Sequence, residues 1–467
     1  MSIERGLNIS ELSKSSFSTK PAGNSLGGTL AATGMIFRPV MRQADRAIDW
    51  TRDKTDAIVA RINSADSPLG ALDTLFGSSF YLYGAHYEGR LKGPPGQLIA
   101  QRDGAVCAAT VDGAVWITHM KAKDQVSLET GRAIESAEGR NAKICPVHAI
   151  KLPATLALGR RAANLPWSPL PIDRPADHRT FQEIRYVEEQ GVGRLFFDFH
   201  NGAMSTDQCY RLRDAFLFAR SQPTRVIELR GGADFFCNGI HLNVIEAATD
   251  PALESWRNIN AINDLVFEIL NTMSHLVIAG ICGNAGAGGA MLALAADYVY
   301  AREEVVLNPH YKGMGLYGSE YWTYTLPRRV GAAQAIAITE GCRPMGTGEA
   351  KSTGFVDDCF GSDAADFGRI LAQRSERLSR REDFWHLVRK KHERRMADER
   401  AKPLARYRAE ELTRMRENFY GPDTAYHAAR QRFVYKGQPV RRLETTTPET
   451  GLAISPTRRD TACIRTA

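Results

Sequence analysis

Nothing in the 467-residue chain approaches the run of about 18 apolar residues that a membrane-spanning helix requires. The softest stretch, Leu26 to Phe37, is diluted by Gly and Thr and lacks a charged leader with a small-residue cleavage site. Both absences argue against a membrane and place the chain in the cytoplasm. The eight cysteines fall with no CxxC and no Cys/His pair at ligand spacing, which argues against a disulfide framework and leaves no metal site. Charge of one sign is also scarce, because a net charge of +7 is modest for this length. It concentrates late, as in Arg389 to Arg395, where Glu393 breaks the run and no aromatic residue intervenes. That pattern fits a solvated helix face and argues against a nucleic-acid partner.

What is present is material for two or more cores, with 43% hydrophobic residues. Residues 1–36 carry no sustained period and are expected to be disordered. Residues 37–125 open with helical spacing over Asp53 to Ile62 and continue with short runs, Gln97 to Ala100 and Ala114 to Ile117. The pairs Asp103-Gly104 and Asp112-Gly113 punctuate this β-unit as tight hairpin turns, since Asp-Gly supplies positive φ. Residues 126–177 read as a Pro- and Ala-rich linker. Residues 178–383 alternate strand and helix: Leu195 to Phe199, then a helix from Thr206 to Arg220, Val226 to Arg230, a helix around Ser255 to Met273, Leu276 to Cys282, a helix Gly288 to Ala296, and Asp297 to Ala301. The alternation predicts parallel strands joined by right-handed crossovers. Residues 384–437 read as a helical extension, and 438–467 as a flexible tail.

Two loops stand out. Arg230 to Leu242 follows one strand, and the glycine-rich Gly283 to Gly289 follows the next. Both lie at carboxyl ends of strands, where parallel sheets bind ligands. Together they can aim two N–H donors at one oxygen, and one such donor is worth about 3 kcal/mol of barrier. The plainer alternative is that each glycine cluster only lets a helix pack on its strand. Glu303 and Glu304 keep a dinucleotide fingerprint in play for the second loop, but its glycine spacing does not fit GxGxxG and the first loop would have no role.

Phe236 to Leu242 resembles the signature of the crotonase (enoyl-CoA hydratase/isomerase) family, and Gly283 to Asp297 resembles that family's second motif. The resemblance implies an α/β fold, a ββα spiral of parallel strands with a helical C-terminal extension. It implies coenzyme A, as an acyl thioester, for cofactor, with Ile240 and Gly288 as oxyanion-hole amides and with Phe236, Asn238, Gly239, Gly286 and Gly289 lining the thioester. The two hydratase carboxylates do not carry over, because Met291 and Tyr311 stand in their places. Asn308 to Trp322 instead gathers Tyr311, Tyr317, Glu320 and Tyr321 where the family holds its acid/base groups. Burial that lifts a Glu toward neutrality would let it shuttle protons. The alternative is that Ser319 caps a helix, Glu320 sits in its first turn and the tyrosines pack its flank.

Arg46 to Trp50, Tyr83 to His86 and Gly104 to Ile117 look like the linker and small OB-like β-barrel of formyltransferase C-terminal domains. A module of that kind fused to a crotonase domain is similar to the HoxX/HypX family of hydrogenase maturation proteins. The resemblance implies a lyase-type step that releases carbon monoxide from formyl-CoA, with other maturation proteins as partners. Residues 1–36 are far too short for that family's N-terminal formyltransferase lobe, so transfer from formyl-tetrahydrofolate is expected to be absent. A CoA-binding interaction module without turnover, or a crotonase acting on another acyl-CoA, are the remaining alternatives.

Overall fold

In the large sheet, strands run in the order Asp358–Cys359, Tyr298–Ala301, Leu276–Ile281, Val226–Arg230, Val192–Phe197 and Ile184–Glu189. A computed structural model describes residues 41–66, 70–74, 77–123, 150–175 and 177–436. Beyond Asp45 the chain forms one unit, Arg46–Ala467. The expected disorder of residues 1–36 and 438–467 lies outside the described residues.

All pairings in this sheet are parallel except the last, where Ile184–Glu189 and Val192–Phe197 form an antiparallel hairpin across Gln190 and Gly191, both at positive φ. Val226, Val277, Ile278, Ala279 and Val299 are fully buried, as strands covered by helices on their faces must be. Helices Thr206–Ser221 and Pro251–Leu270 pack there. The first begins at a Ser205/Gln208 capping box and the second at the Asp250 side chain with Pro251 at the first turn. After three of these strands the chain adds a short one to a second sheet: Phe235–Cys237, Asn284–Gly286 and Val306–Asn308 lie side by side in parallel. This repeated two-strands-then-helix turn is the spiral the resemblance implied.

The smaller N-terminal region is an antiparallel sheet with order Ala71–Asp73, Phe80–Glu88, Ala114–Ala122, Ala105–Ala109 and Leu98–Arg102. Ile58 and Ile62 of the helix Thr55–Ser64 bury against its Leu82, Val106 and Ile117. Among the described residues no ladder joins the two ends of this path. The outer edge of Leu98–Arg102 is taken instead by the segment 166–168, whose backbone exchanges hydrogen bonds with Gln101. Asp103 and Gly104 adopt the expected positive φ, whereas Asp112 and Gly113 do not. The Asp112 carboxylate is engaged elsewhere, accepting from Thr55 N at 2.9 Å and Thr55 Oγ1 at 2.8 Å. Part of the expected linker is also folded, with Leu152–Pro153 pairing to Ala114–Ala122 and the helix Ala154–Leu158 burying Ala154 and Leu158.

Two polar clusters tie this region to the larger one. Burial would raise the Glu88 carboxyl, but bonds from Thr180, Trp116, His178 and Arg90 hold it down to about 2. Nearby, the His119 ring stacks 4.1 Å from His200 and 6.2 Å from His241, and Lys151 Nζ lies 2.8 Å from His200 Nε2.

Candidate active site

Because Phe235–Cys237, Asn284–Gly286 and Val306–Asn308 are neighbouring parallel strands, the three segments that follow them emerge at one edge. These are Asn238 to His241, Ala287 to Gly289, and Pro309 to Tyr321, the three stretches singled out from sequence. Gly239 takes φ 77°, and a Cβ added to it would stand 3.1 Å from Gly288 N. The peptide leading into Ile240 therefore lies beside the start of the helix Gly288–Ala293. Among the described residues neither the Ile240 N–H nor the Gly288 N–H donates to a protein acceptor. Two unclaimed donors, one of them at a helix N-terminus, form a place where an oxygen bearing partial negative charge is stabilised.

Glu320 closes this place from the third segment. Its side chain is 1% exposed, and its carboxylate packs so tightly on the Cα of Gly288 that any side chain there would overlap it. Burial pushes the carboxyl up to about 7, only partly offset by Tyr311 Oη donating to Oε2 at 2.7 Å and by Ser319 N at 3.1 Å. Burial, together with the adjacent carboxylate, moves the Tyr311 phenol well above its ordinary range, so it remains a donor. The pair is thus a carboxyl poised near neutrality and a phenol that stabilises its ionised form, which suits proton transfer.

The other tyrosines do not join them. Tyr317 is 40% exposed and its ring lies 5.5 Å from Trp322. Tyr321 is buried against Phe267, with the Arg408 guanidinium beside its hydroxyl. Phe236 is a core side chain packed edge-on to Phe197, so only its backbone is near the site. Asn238 Nδ2 donates to Asn201 O, while Gly289 lies tight against the Cys237 carbonyl. The helix-cap alternative for Ser319 is also corrected: the helix begins at Trp322, with Tyr321 rather than Ser319 at its cap position. Its first amides are held by Glu411, which accepts from Tyr321 N at 3.0 Å and Thr323 N at 2.9 Å. Sequence reasoning missed Glu411 and Asn263, whose Oδ1 accepts from Glu320 N at 2.8 Å. A polar residue on the apolar face of each helix was the available signal.

Comparison with known proteins follows the same division. The enoyl-CoA hydratase/isomerase family, whose members bind CoA thioesters, matches residues 190–440, and the formyl transferase C-terminal domain matches residues 40–133. The chain is 46% identical over 397 residues to the hydrogenase maturation factor HoxX of Bradyrhizobium diazoefficiens, covering 85% of this chain and 64% of that protein. HypX from Aquifex aeolicus, solved in complex with tetrahydrofolic acid, superposes with a TM-score of 0.79 at 42% identity over 87% of this chain and 68% of that one. The chain belongs to the HoxX/HypX family. It therefore spans about two thirds of the length of these HoxX and HypX relatives. Among the described residues of this family member no group of three or more His, Cys, Asp or Glu could hold a metal ion, and no helix is long and apolar enough to cross a membrane.

Proposed function

We propose that this chain acts in hydrogenase maturation by decarbonylating a formyl thioester of coenzyme A. The observation that carries the reading is the Glu320 carboxyl, raised to about 7 and packed on Gly288 beside two unclaimed amides. The Ile240 and Gly288 N–H groups would receive the formyl oxygen and polarise its carbon. Glu320 would take the proton from that carbon and hand it to the sulfur as the carbon–sulfur bond breaks, with Tyr311 Oη holding the carboxylate in between. One C–H and one C–S bond are lost, one S–H bond forms, and carbon monoxide and free CoA leave with no other reactant. The thioester supplies the leaving sulfur; the chain supplies orientation, two donors and a proton carrier. Tyr317 and Tyr321 take no part, being turned toward other partners. Other maturation proteins would receive the product. Only the thioester step is assigned to these residues.

Mixing the protein with formyl-CoA and haemoglobin tests this. Carbonyl-haemoglobin and free thiol should appear in equal amounts, and Glu320→Gln should slow both by about 10²- to 10⁴-fold, the usual worth of a general acid–base. Turnover of longer acyl-CoA esters with none of formyl-CoA would move the reading to another crotonase activity. Binding of CoA without turnover would leave an interaction module.

A further inference from the structure

The segment carrying Glu320 is held in shape from outside itself. Glu320 and Tyr321 sit at φ 60° and 56°, two successive non-glycine residues in the left-handed region. Such a pair persists only where its surroundings over-determine it. The amide of each has a single acceptor, and neither acceptor is local: Glu320 N donates to Asn263 Oδ1 at 2.8 Å, and Tyr321 N to Glu411 Oε2 at 3.0 Å. The Ser319 hydroxyl is shared between the same two side chains, at 3.0 Å from Asn263 Oδ1 and 3.3 Å from Glu411 Oε2. The second Glu411 oxygen accepts from Thr323 N at 2.9 Å and Thr323 Oγ1 at 2.6 Å. Asn263 and Glu411 are both fully buried and come from different helices, Pro251–Leu270 and Leu404–Tyr420. Among the described residues no hydrogen bond links either side chain to the Glu320 carboxylate, which accepts from Tyr311 Oη and Ser319 N.

We propose that Asn263 and Glu411 are positioning residues that lock the Ser319–Tyr321 backbone in its left-handed form and so deliver the Glu320 carboxylate against Gly288. The helix Leu404–Tyr420 is on this view part of the frame of the site. The catalytic consequence rests on the thioester reading above; the geometric claim stands without it.

The test uses the full chain labelled with ¹³C-glutamate. The Glu320 carboxyl resonance is identified by its loss in Glu320→Gln, and its titration is followed in wild type, Asn263→Ala, Glu411→Gln and Thr323→Val. Release of the segment lets Glu320 reach water, so its midpoint should fall by about one pH unit or more in Asn263→Ala and Glu411→Gln. Asn263 carries no charge, so its effect cannot be lost repulsion. Thr323→Val, which deletes one hydroxyl and no backbone donor, should shift the midpoint less and in the same direction. With formyl-CoA, kcat should fall about 10- to 100-fold with KM within about twofold, as expected for a misplaced rather than missing group. An unmoved Glu320 midpoint in folded Asn263→Ala and Glu411→Gln overturns the proposal. So does unfolding of both with no shift in Thr323→Val. If wild type releases no carbon monoxide, the thioester reading fails, while the resonance comparison still decides the positioning.

Discussion

The two glycine-rich loops and the Pro309 to Tyr321 segment face one another at a single edge, yet they are built on opposite principles. In the loops, backbone groups would provide the chemistry under the proposed function, and missing side chains provide the room: Gly239 turns with positive φ, and Gly288 leaves space for a carboxylate. In the third segment a side chain would do the chemistry, and its backbone amides are bound by groups 57 and 90 residues away. The difference teaches that a donor site can be encoded locally, whereas an acid/base site of this kind depends on the folded core.

The largest effect expected breaks the boundary between the two. Gly288→Ala places a methyl where the Glu320 carboxylate lies, so formyl-CoA turnover should fall as far as in Glu320→Gln, by about 10²- to 10⁴-fold, in a steady-state assay of carbon monoxide release. Tyr311→Phe is milder. It removes the 2.7 Å bond that favours the ionised Glu320, and a bond to a charged group is worth about 1.5 to 3 kcal/mol, or roughly 10- to 100-fold in rate. Because that bond lowers the carboxyl, its loss should move the midpoint of the pH–rate profile upward from about 7.

Stability against pH separates this site from the imidazole stack. Burial raises Glu320 and Glu411 to about 7, so their contribution is complete below the unfolded value of 4.5 and is lost as pH rises through 7. Burial lowers His241 to about 4 and His200 to about 3, so theirs is complete above 6.5 and is lost as pH falls through 4 to 3. Between 6.5 and 4.5 the two trends oppose each other, so urea midpoints should fall by less than the imidazoles, His119 among them, would give alone. Below 4.5 only the histidine trend remains, reinforced by the depressed Glu88, and stability should drop by up to about 1.4 kcal/mol per pH unit for each histidine. A steady gain in stability from pH 6.5 down to 4.5, the carboxyl trend alone, would show that the imidazoles are not shielded as described. The smallest effect sharpens the comparison: Tyr317→Phe should leave turnover within about twofold and stability within about 0.5 kcal/mol, since its ring is half-exposed against Trp322.

Much of the fold was legible along the chain. Val226–Arg230 appears with the expected ends and Leu276–Ile281 stops one residue short, because a strand buried on both faces reads as an apolar run bounded by polar residues. The antiparallel edge strand Ile184–Glu189 was not legible, as its alternation is blurred by Val187 at an outward position and by two successive glutamates. The cover of the small sheet's edge was hidden for a related reason: the segment beside Leu98–Arg102 carries Pro166 and Ser168, residues that look like linker. Around the site, Tyr311 and Glu320 were readable as candidates, but so were Tyr317 and Tyr321, and spacing alone does not separate them.

The sequence by itself determined where the backbone could turn and where it had to lie bare, since glycine's freedom at Gly239 and Gly288 is a property of the residue. It also determined the order of strands and helices, which follows from apolar periodicity. Only the tertiary structure decided that Glu320 meets Tyr311 and not Tyr321, and that Asn263 and Glu411 hold it there. Hydrogen bonds between helices far apart in the chain leave no mark in local spacing, and burial, which raises the carboxyl to about 7, exists only once those helices have packed.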